Sequence, residues 1–199
     1  MYIPVSADVQ CADGSCGRTT CVILNPTSRR VTHVVVREPH LPYGEYLVPI
    51  DQVDEAGSSE IHLRCTKEEL ARLESFITTE YVELSLPFYG IGAACIGPYI
   101  SPGIMMVPVG HEQTPTSEQA VHYGAHVEAT DGHVGRVDAF LVELASGRIT
   151  HLVLREGHLW GKKDVIIPVE QIARIRDDAI YLKLARHRVQ ELPAVAVHR

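Results

Sequence analysis

The sequence predicts a mainly β protein made of two small antiparallel β-barrels in tandem, each with one short helix, joined by an apolar segment rich in proline and glycine. Three observations support this prediction: a length of 199 residues that suits two compact domains, an internal repeat, and short β-branched runs separated by turns. Closure of such short strands into barrels is favoured because it removes exposed strand edges.

The internal repeat emerges when the sequence is shifted against itself by 118 positions. Residues 13–18 then align with 131–136, and both segments have the pattern D-G-x-x-G-R. The match continues between residues 30–41 and 148–159, where most differences exchange one aliphatic residue for another. A repeat of this extent covers a whole domain. The chain is accordingly divided into a first domain, a linker and a second domain: residues 1–86, 87–120 and 121–199.

Each copy is expected to contain several short strands and one helix. The Asp-Gly dipeptide that begins each D-G-x-x-G-R pattern favours a tight hairpin turn, in which backbone φ is positive. A helix is predicted at residues 66–73, where Thr66 and Glu69 fit a capping box. Its counterpart at residues 185–192 has a weaker helical pattern.

The central strand of each copy carries aliphatic side chains on both of its faces. A barrel has only one interior, so the outward-facing pair in each copy needs a second cover. These residues are Val34 and Val36 in the first copy, and Leu152 and Leu154 in the second. We predict that the two barrels pack on each other through these four residues. The alternative is that the helix of each copy covers its own strand.

Both copies also place an arginine at the end of the central strand and an aspartate at the start of the hairpin turn. Arg37 and Asp13 of the first copy correspond to Arg155 and Asp131 of the second. Because these opposite charges recur together, we predict a structural ion pair between the arginine and the aspartate of each copy.

An apolar stretch, residues 86–110, covers the first part of the linker and contains no charged side chain. Its prolines and glycines would break a membrane-spanning helix repeatedly, so we expect an extended strap and no membrane span. The apolar side chains must be covered, either at the junction between the barrels or by another protein, and both alternatives stay open. They are Phe88, Tyr89, Ile91, Ile96, Tyr99, Ile100, Ile104, Met105 and Met106.

The composition argues against two classes of partner. A formal net charge of −7 leaves no excess positive potential to attract a nucleic acid backbone or an anionic membrane surface. The first residues lack the basic end and the apolar run of a secretory signal. Five cysteines, an odd number, are expected to be free thiols in a reducing compartment. We therefore expect a cytoplasmic protein that does not bind free nucleic acid.

Two loops are predicted to contact a partner protein. The loop of the second copy holds the only tryptophan next to two lysines, and such side chains commonly anchor protein contacts. The first copy has a related loop with different chemistry. The predicted partner-binding residues are His158, Trp160, Lys162 and Lys163 in the second copy, and His40 and Tyr43 in the first.

No catalytic residue, cofactor or metal site is predicted. The sequence has no nucleophile elbow, P-loop, dinucleotide-binding glycine motif or zinc-protease motif. Cys11, Cys16 and Cys21 are evenly spaced, as thiolate ligands can be, but their counterparts in the second copy are alanine or valine. We therefore expect these cysteines to act as small apolar residues. Histidine recurs at two repeated positions, which are His33 with His151 and His40 with His158.

The order of these motifs resembles the PRC-barrel family, whose members include parts of the photosynthetic reaction centre and of a ribosome maturation factor. The resemblance rests on D-G-x-x-G-R, on the strand T-H-x-V-x-R-E, and on a later apolar strand that contains Pro49 or Pro168. It covers most of residues 5–85 and 121–197. The resemblance implies a compact barrel that is used for protein contact.

Together these features predict a non-enzymatic adaptor or scaffold protein that binds another protein and can associate with itself. One alternative is a ligand-binding or metal-binding regulatory protein that uses the repeated histidines and the cysteines. Another alternative is an accessory subunit of a redox, photosynthetic or ribosome-assembly complex.

Overall fold

The computed structural model describes residues 1–40, 43–86, 103–143, 145–155, 164–176 and 179–195. Within these residues the protein is mainly β, with seventeen strands and two short α-helices, as the sequence predicts. Contacts divide the chain into two compact units, one formed by residues 1–76 with 114–199 and the other by residues 77–113. The larger unit contains two large sheets. Closure of either sheet into a barrel stays a prediction.

The elements are numbered along the chain. The strands are β1 (Tyr2–Pro4), β2 (Asp8–Cys11), β3 (Gly14–Asn25), β4 (Arg30–Arg37), β5 (Glu45–Pro49), β6 (Val53–Ala56), β7 (Glu60–Leu63), β8 (Ile77–Leu86), β9 (Gly103–Glu112), β10 (Gln119–His122), β11 (His126–Ala129), β12 (Gly132–Val142), β13 (Ile149–Arg155), β14 (Asp164–Pro168), β15 (Ile172–Arg176), β16 (Ala179–Leu182) and β17 (Ala194–Val195). The helices are α1 (Lys67–Leu70) and α2 (Arg186–Gln190). Short 3-10 turns at Ile50–Gln52 and Val169–Gln171 precede β6 and β15.

The two large sheets have the same internal order. The first runs β5-β4-β3-β2-β7-β6, and the second runs β14-β13-β12-β11-β16-β15 with β17 beyond β14. Their neighbours are antiparallel except for one parallel pair in each sheet, β2 with β7 and β11 with β16. Corresponding strands therefore make corresponding pairings in the two halves of the chain.

Two short strands cross between the halves. The first strand, β1, adds to the second sheet, where Ile3 lies opposite Phe140 of β12. Conversely, β10 adds to the first sheet, where Val121 lies opposite Val22 of β3. Since β1 and β10 occupy equivalent positions before the two hairpins, each half of the chain supplies a strand to the sheet of the other half.

A backbone contact between the halves repeats the same symmetry. Arg30 forms an antiparallel bridge with Arg148, and these two residues are 118 positions apart, which is the shift that aligns the repeat. On one side, the N–H of Val31 donates to the carbonyl of Gly147 at 3.0 Å. On the other side, the N–H of Ile149 donates to the carbonyl of the residue before Arg30 at 2.8 Å. The two halves thus meet in a near-twofold arrangement.

One hydrophobic core contains residues of both halves. It includes the four side chains predicted to form the contact between the copies, and all four are fully buried: Val34, Val36, Leu152 and Leu154. It also includes Leu70 of α1 and Val189 of α2, so the helices cover part of the same core. The opposite face of β4 packs in a smaller cluster made of Cys21, Ile23, Val35, Leu47 and Phe76. Direct packing of the four residues on one another stays a prediction.

The capping box predicted at the first helix is confirmed. The Thr66 hydroxyl accepts a hydrogen bond from the N–H of Glu69 at 3.3 Å, and the Glu69 carboxylate accepts one from the N–H of Thr66 at 2.9 Å. The predicted second helix is also present, as α2, and it begins after Ala185 without a side-chain cap. This difference explains why its sequence signal is weaker.

The predicted ion pairs at the hairpin turns are wrong. Asp13 accepts a hydrogen bond from the first backbone N–H of α1 at 3.0 Å, and Asp131 accepts the equivalent bond from α2 at 2.7 Å. Arg37 instead pairs with Glu45, which the register of β4 and β5 places directly opposite. Each aspartate therefore joins its hairpin turn to its helix.

The smaller unit is an antiparallel ribbon of β8 and β9. The two strands pair over their whole length, from Ile77 opposite Glu112 to Leu86 opposite Gly103. The predicted strap is thus in part a strand, and residues 87–102 of it lie outside the described residues. Neither described helix has the length and apolar character needed to cross a membrane.

Candidate interaction surface

The ribbon, defined as β8 and β9, carries an exposed apolar face. Side chains alternate along each strand, so Val82 and Leu84 of β8 share a face with Met105, Val107 and Val109 of β9. Leu84 is 44% exposed and Met105 is 50% exposed, whereas apolar side chains of this size are usually buried in a hydrophobic core. Two-stranded ribbons are only marginally stable in water without further cover. This face is therefore suited to contact with another apolar surface.

The other face of the ribbon is mixed in character. It carries Tyr81, which is 64% exposed, and Met106, which is 52% exposed, together with polar residues such as Thr79. At the polar end of the apolar face, Glu80 lies 3.5 Å from His111 across the two strands. An apolar patch bordered by charged side chains is typical of a protein contact surface.

The sequence prediction overlooked this strand. Thr78, Glu80, Val82 and Leu84 alternate with Thr79, Tyr81 and Glu83, and such a run of β-formers predicts a strand. The strand was missed because the internal repeat contains no corresponding segment in the second copy. Of the strap residues predicted to need cover, Met105 and Met106 are half exposed, and most of the others lie outside the described residues.

The predicted partner-binding loops are described only in the first half. His40 and Tyr43 are both exposed, and the N–H of Tyr43 donates to the carbonyl of His40 at 2.8 Å. Tyr43 has a φ of 44°, which is uncommon for a residue with a side chain. The corresponding residues of the second half lie outside the described residues: His158, Trp160, Lys162 and Lys163.

The repeated histidines of the central strands make local hydrogen bonds. The Nδ1 atom of His33 lies 3.1 Å from the Thr32 hydroxyl, and His151 makes the same 3.1 Å contact with Thr150. In the first half, Glu118 adds a further contact at 3.6 Å from His33. This pair of histidines therefore has partners within the repeated fold.

Three cysteines of the first half lie in the common core. Cys11, Cys16 and Cys65 are each less than 10% exposed. Burial is the main cause that raises the pKa of Cys11 to about 12 and that of Cys65 to about 11, and it also raises the pKa of Cys16. These residues are therefore protonated thiols near neutral pH, a form that packs well but binds metals poorly.

A cluster of charged residues links the exchanged strand β1 to the second sheet. The Arg155 guanidinium pairs with Asp138, and the Tyr2 hydroxyl donates to the same carboxylate at 3.0 Å. Asp164 lies 3.9 Å from Arg155, and its side chain is only 13% exposed. Burial, with the charge of Asp138, raises the pKa of Asp164 above its ordinary value. The fold therefore favours the protonated form of Asp164.

Replacing Asp164 with asparagine should stabilise the protein near neutral pH. Because the pKa of Asp164 is raised on folding, its contribution to stability falls as the pH rises through the folded-state pKa. Asparagine resembles the protonated form, so the gain in unfolding free energy should be present at neutral pH and disappear below about pH 4. Urea unfolding of both proteins across this range measures the effect. Asp54→Asn, at an exposed ion pair with Arg64, is the control and should change little.

Comparison with known proteins identifies part of this architecture. Residues 126–186 match the model of the PRC-barrel domain. The matched region runs from the first residue of β11 to the first residue of α2, so it contains the hairpin, the central strand and the parallel pair of the second sheet. No curated protein matches the chain. Over residues 126–186, the chain is therefore similar to the PRC-barrel domain.

Proposed function

We propose that the chain is a non-enzymatic interaction protein built from two PRC-barrel domains, residues 1–86 and 121–199, with a linker over residues 87–120. The family match over residues 126–186 supports the second domain. The equal strand order of the two sheets and the exchange of β1 and β10 support treating the first half as a domain of the same kind. A cytoplasmic location is part of this proposal, in keeping with the free cysteines.

The apolar face of the ribbon is the observation that carries the proposal. Val82, Leu84, Met105 and Val109 are all more than a third exposed on one face of two paired strands. Among the described residues, β8 and β9 form a sheet of two strands only, so the ribbon is not part of either large sheet. A surface that offers a row of exposed apolar side chains is suited to contact with another protein.

The first partner that we propose is a second copy of the chain. Two identical apolar faces match each other across a twofold axis, because each copy supplies the same patch. The Glu80 and His111 pair, 3.5 Å apart, would then supply polar groups at the border of the contact. The exposed loop at His40 and Tyr43 and its counterpart at Trp160 are kept as a second contact for a different protein.

Light scattering coupled to size exclusion, over a series of protein concentrations, tests self-association. The native chain should form a dimer, whereas a variant with Val82→Glu and Leu84→Glu should remain a monomer because charge is placed in the contact. Thr79→Glu, on the other face of β8, is the matched control and should still form the dimer. Circular dichroism checks that all three proteins are folded. A native chain that stays monomeric at every concentration overturns the proposed second copy.

Affinity purification from the native cell extract then tests the broader adaptor role. The bait is the full chain, beside the ribbon variant and a loop variant with Trp160→Ala, Lys162→Ala and Lys163→Ala. A defined partner that is retained by the native chain and lost from one variant supports the adaptor function and identifies its surface. If neither a dimer nor such a partner is found, the interaction proposal fails.

A further inference from the structure

Three metal-ligating side chains meet on the outer face of the hairpin between β11 and β12. His126 and Glu128 lie on the same side of β11, because Val127 between them is fully buried. Across the hairpin, His133 of β12 lies directly opposite Glu128, and its Nδ1 atom is 3.1 Å from the Glu128 carboxylate. The imidazole rings of His126 and His133 have centroids 5.1 Å apart.

The spacing of these groups fits a single metal ion. One ligand atom from each of the three residues lies within 4.8 Å of the other two. Ligands that share one ion are about 2 Å from it, which places them within about 4 Å of one another, so only small side-chain adjustments are needed. Two residues are exposed and one is half-buried, so an ion can enter from solvent.

The backbone holds the three positions in a fixed arrangement. The hairpin turn between Ala129 and Gly132 sets the pairing, and Gly132, the first residue of β12, has a positive φ of 132°. The register shifts between Val127 and Glu128, which is a local irregularity of the kind that reorients a side chain. On its other edge β11 pairs with β16. Ligands on paired strands are positioned more rigidly than ligands on loops.

The fold itself does not require these side chains. The equivalent positions of the first half hold Asp8, Gln10 and Ser15, which do not form such a ligand set. Asp8 instead lies 3.5 Å from Arg18 in an ordinary exposed ion pair. The first hairpin therefore has the same turn and pairing without any of the three ligands, so a role in holding the hairpin together does not explain them.

We propose that His126, Glu128 and His133 bind a divalent first-row transition metal ion, for which zinc is the best match. Two neutral imidazoles and one carboxylate are a preferred ligand set for zinc, and a tetrahedral ion would keep its fourth position for water or for another ligand. His126 and Glu128 also line an open groove with Arg174 and Tyr181, which would give such a ligand access. This inference does not depend on the proposed adaptor function.

The neighbourhood sets the expected strength of binding. Glu128 supplies one negative charge, but Arg136 lies opposite His126 in the strand pairing and disfavours a cation there. The site also has only three protein ligands, whereas closed structural zinc sites have four. We therefore expect a dissociation constant on the order of micromolar for zinc, weaker than that of a structural zinc site.

Isothermal titration of the tag-free, metal-free full chain with zinc tests the proposal. The native chain should bind one zinc ion per chain, and His126→Ala and His133→Ala should each weaken binding at least tenfold. His62→Ala is the matched control, because His62 lies 3.8 Å from Glu60 in an exposed pair, and among the described residues these two belong to no group of three ligand atoms close enough to share one ion. This control should bind zinc as the native chain does. Circular dichroism of each variant separates loss of ligand from loss of fold.

Cobalt provides a second readout that does not rely on the variants. Cobalt bound through nitrogen and oxygen should show visible d–d absorption without the near-ultraviolet band of a thiolate ligand. A thiolate band would assign the metal to cysteine ligands, and zinc binding that survives the double change at His126 and His133 would assign it to another site; either result would overturn the proposal. Absence of one-to-one binding in the native chain at micromolar zinc would also overturn it.

Discussion

Replacing Gly17 or Gly135 with alanine is expected to lower the unfolding free energy by roughly 3 kcal/mol or more, which is in the upper range for a single substitution. These two residues are the second glycine of each D-G-x-x-G-R pattern. A Cβ atom at Gly17 would lie 2.1 Å from the carbonyl oxygen of Arg37, and one at Gly135 would lie 2.5 Å from that of Arg155. Both distances are far below van der Waals contact.

The obstruction cannot be relieved by a side-chain rotation. The atoms in the way belong to the backbone of the central strands β4 and β13, so a strand would have to move within the sheet. Gly17 also has a φ of 154°, which disfavours any residue with a side chain. The pattern is therefore explained by the close approach of two backbones as well as by the turn before it.

Chemical denaturation followed by circular dichroism measures this effect. Gly57→Ala is the matched control, because a Cβ atom there would meet nothing closer than 3.8 Å and its φ is not positive. The control should change the unfolding free energy by less than about 0.5 kcal/mol. Equal effects of Gly17→Ala and Gly57→Ala would show that the close approach is absent in solution.

Ile3→Ala is expected to destabilise the larger unit as a whole by about 2–5 kcal/mol, although the residue lies in a strand of only three residues. Ile3 is fully buried, and it lies opposite Phe140 in the exchanged pairing of β1 with β12. Its removal leaves a cavity in the core that both halves share. Because that core is continuous, both halves should unfold in a single transition.

Two probes are needed to test this prediction. Tryptophan fluorescence reports on the second half, which holds the only tryptophan, and far-ultraviolet circular dichroism reports on both halves. The two denaturation curves should coincide, and both should shift in Ile3→Ala. Ile77→Ala is the control, because Ile77 is 38% exposed on the ribbon. Separate transitions for the two probes would contradict a shared core.

Local signals in the sequence predicted much of the fold. The capping box at Thr66 and the Asp-Gly turns depend on neighbouring residues, so they could be recognised without the structure. The exchange of β1 and β10 could not, because nothing near Ile3 indicates that its partner is Phe140. The predicted ion pairs were wrong because the sequence alone does not fix the register of β4 and β5, which places Glu45 opposite Arg37.

The proposed metal site was not predicted from the sequence, although its residues could have been recognised there. His126 and Glu128 alternate before the Asp-Gly turn, and His133 follows it, so a drawn hairpin would have placed all three on one face. In the sequence, the evenly spaced cysteines and the repeated histidines are the more conspicuous candidate ligands. His126 and His133 have no histidine counterparts in the first half, so comparing the two copies did not single them out.

The exchange of β1 and β10 also determines the order in which strands can pair during synthesis. The β1 strand emerges from the ribosome long before β12, which begins at Gly132, so at ordinary elongation rates it waits on the order of ten seconds for its partner. Over that interval the newly made first half lacks β10 as well, and the edge of β3 that β10 later occupies is open. A protein with this topology folds late and across its whole length, which makes the nascent chain a natural substrate for chaperones.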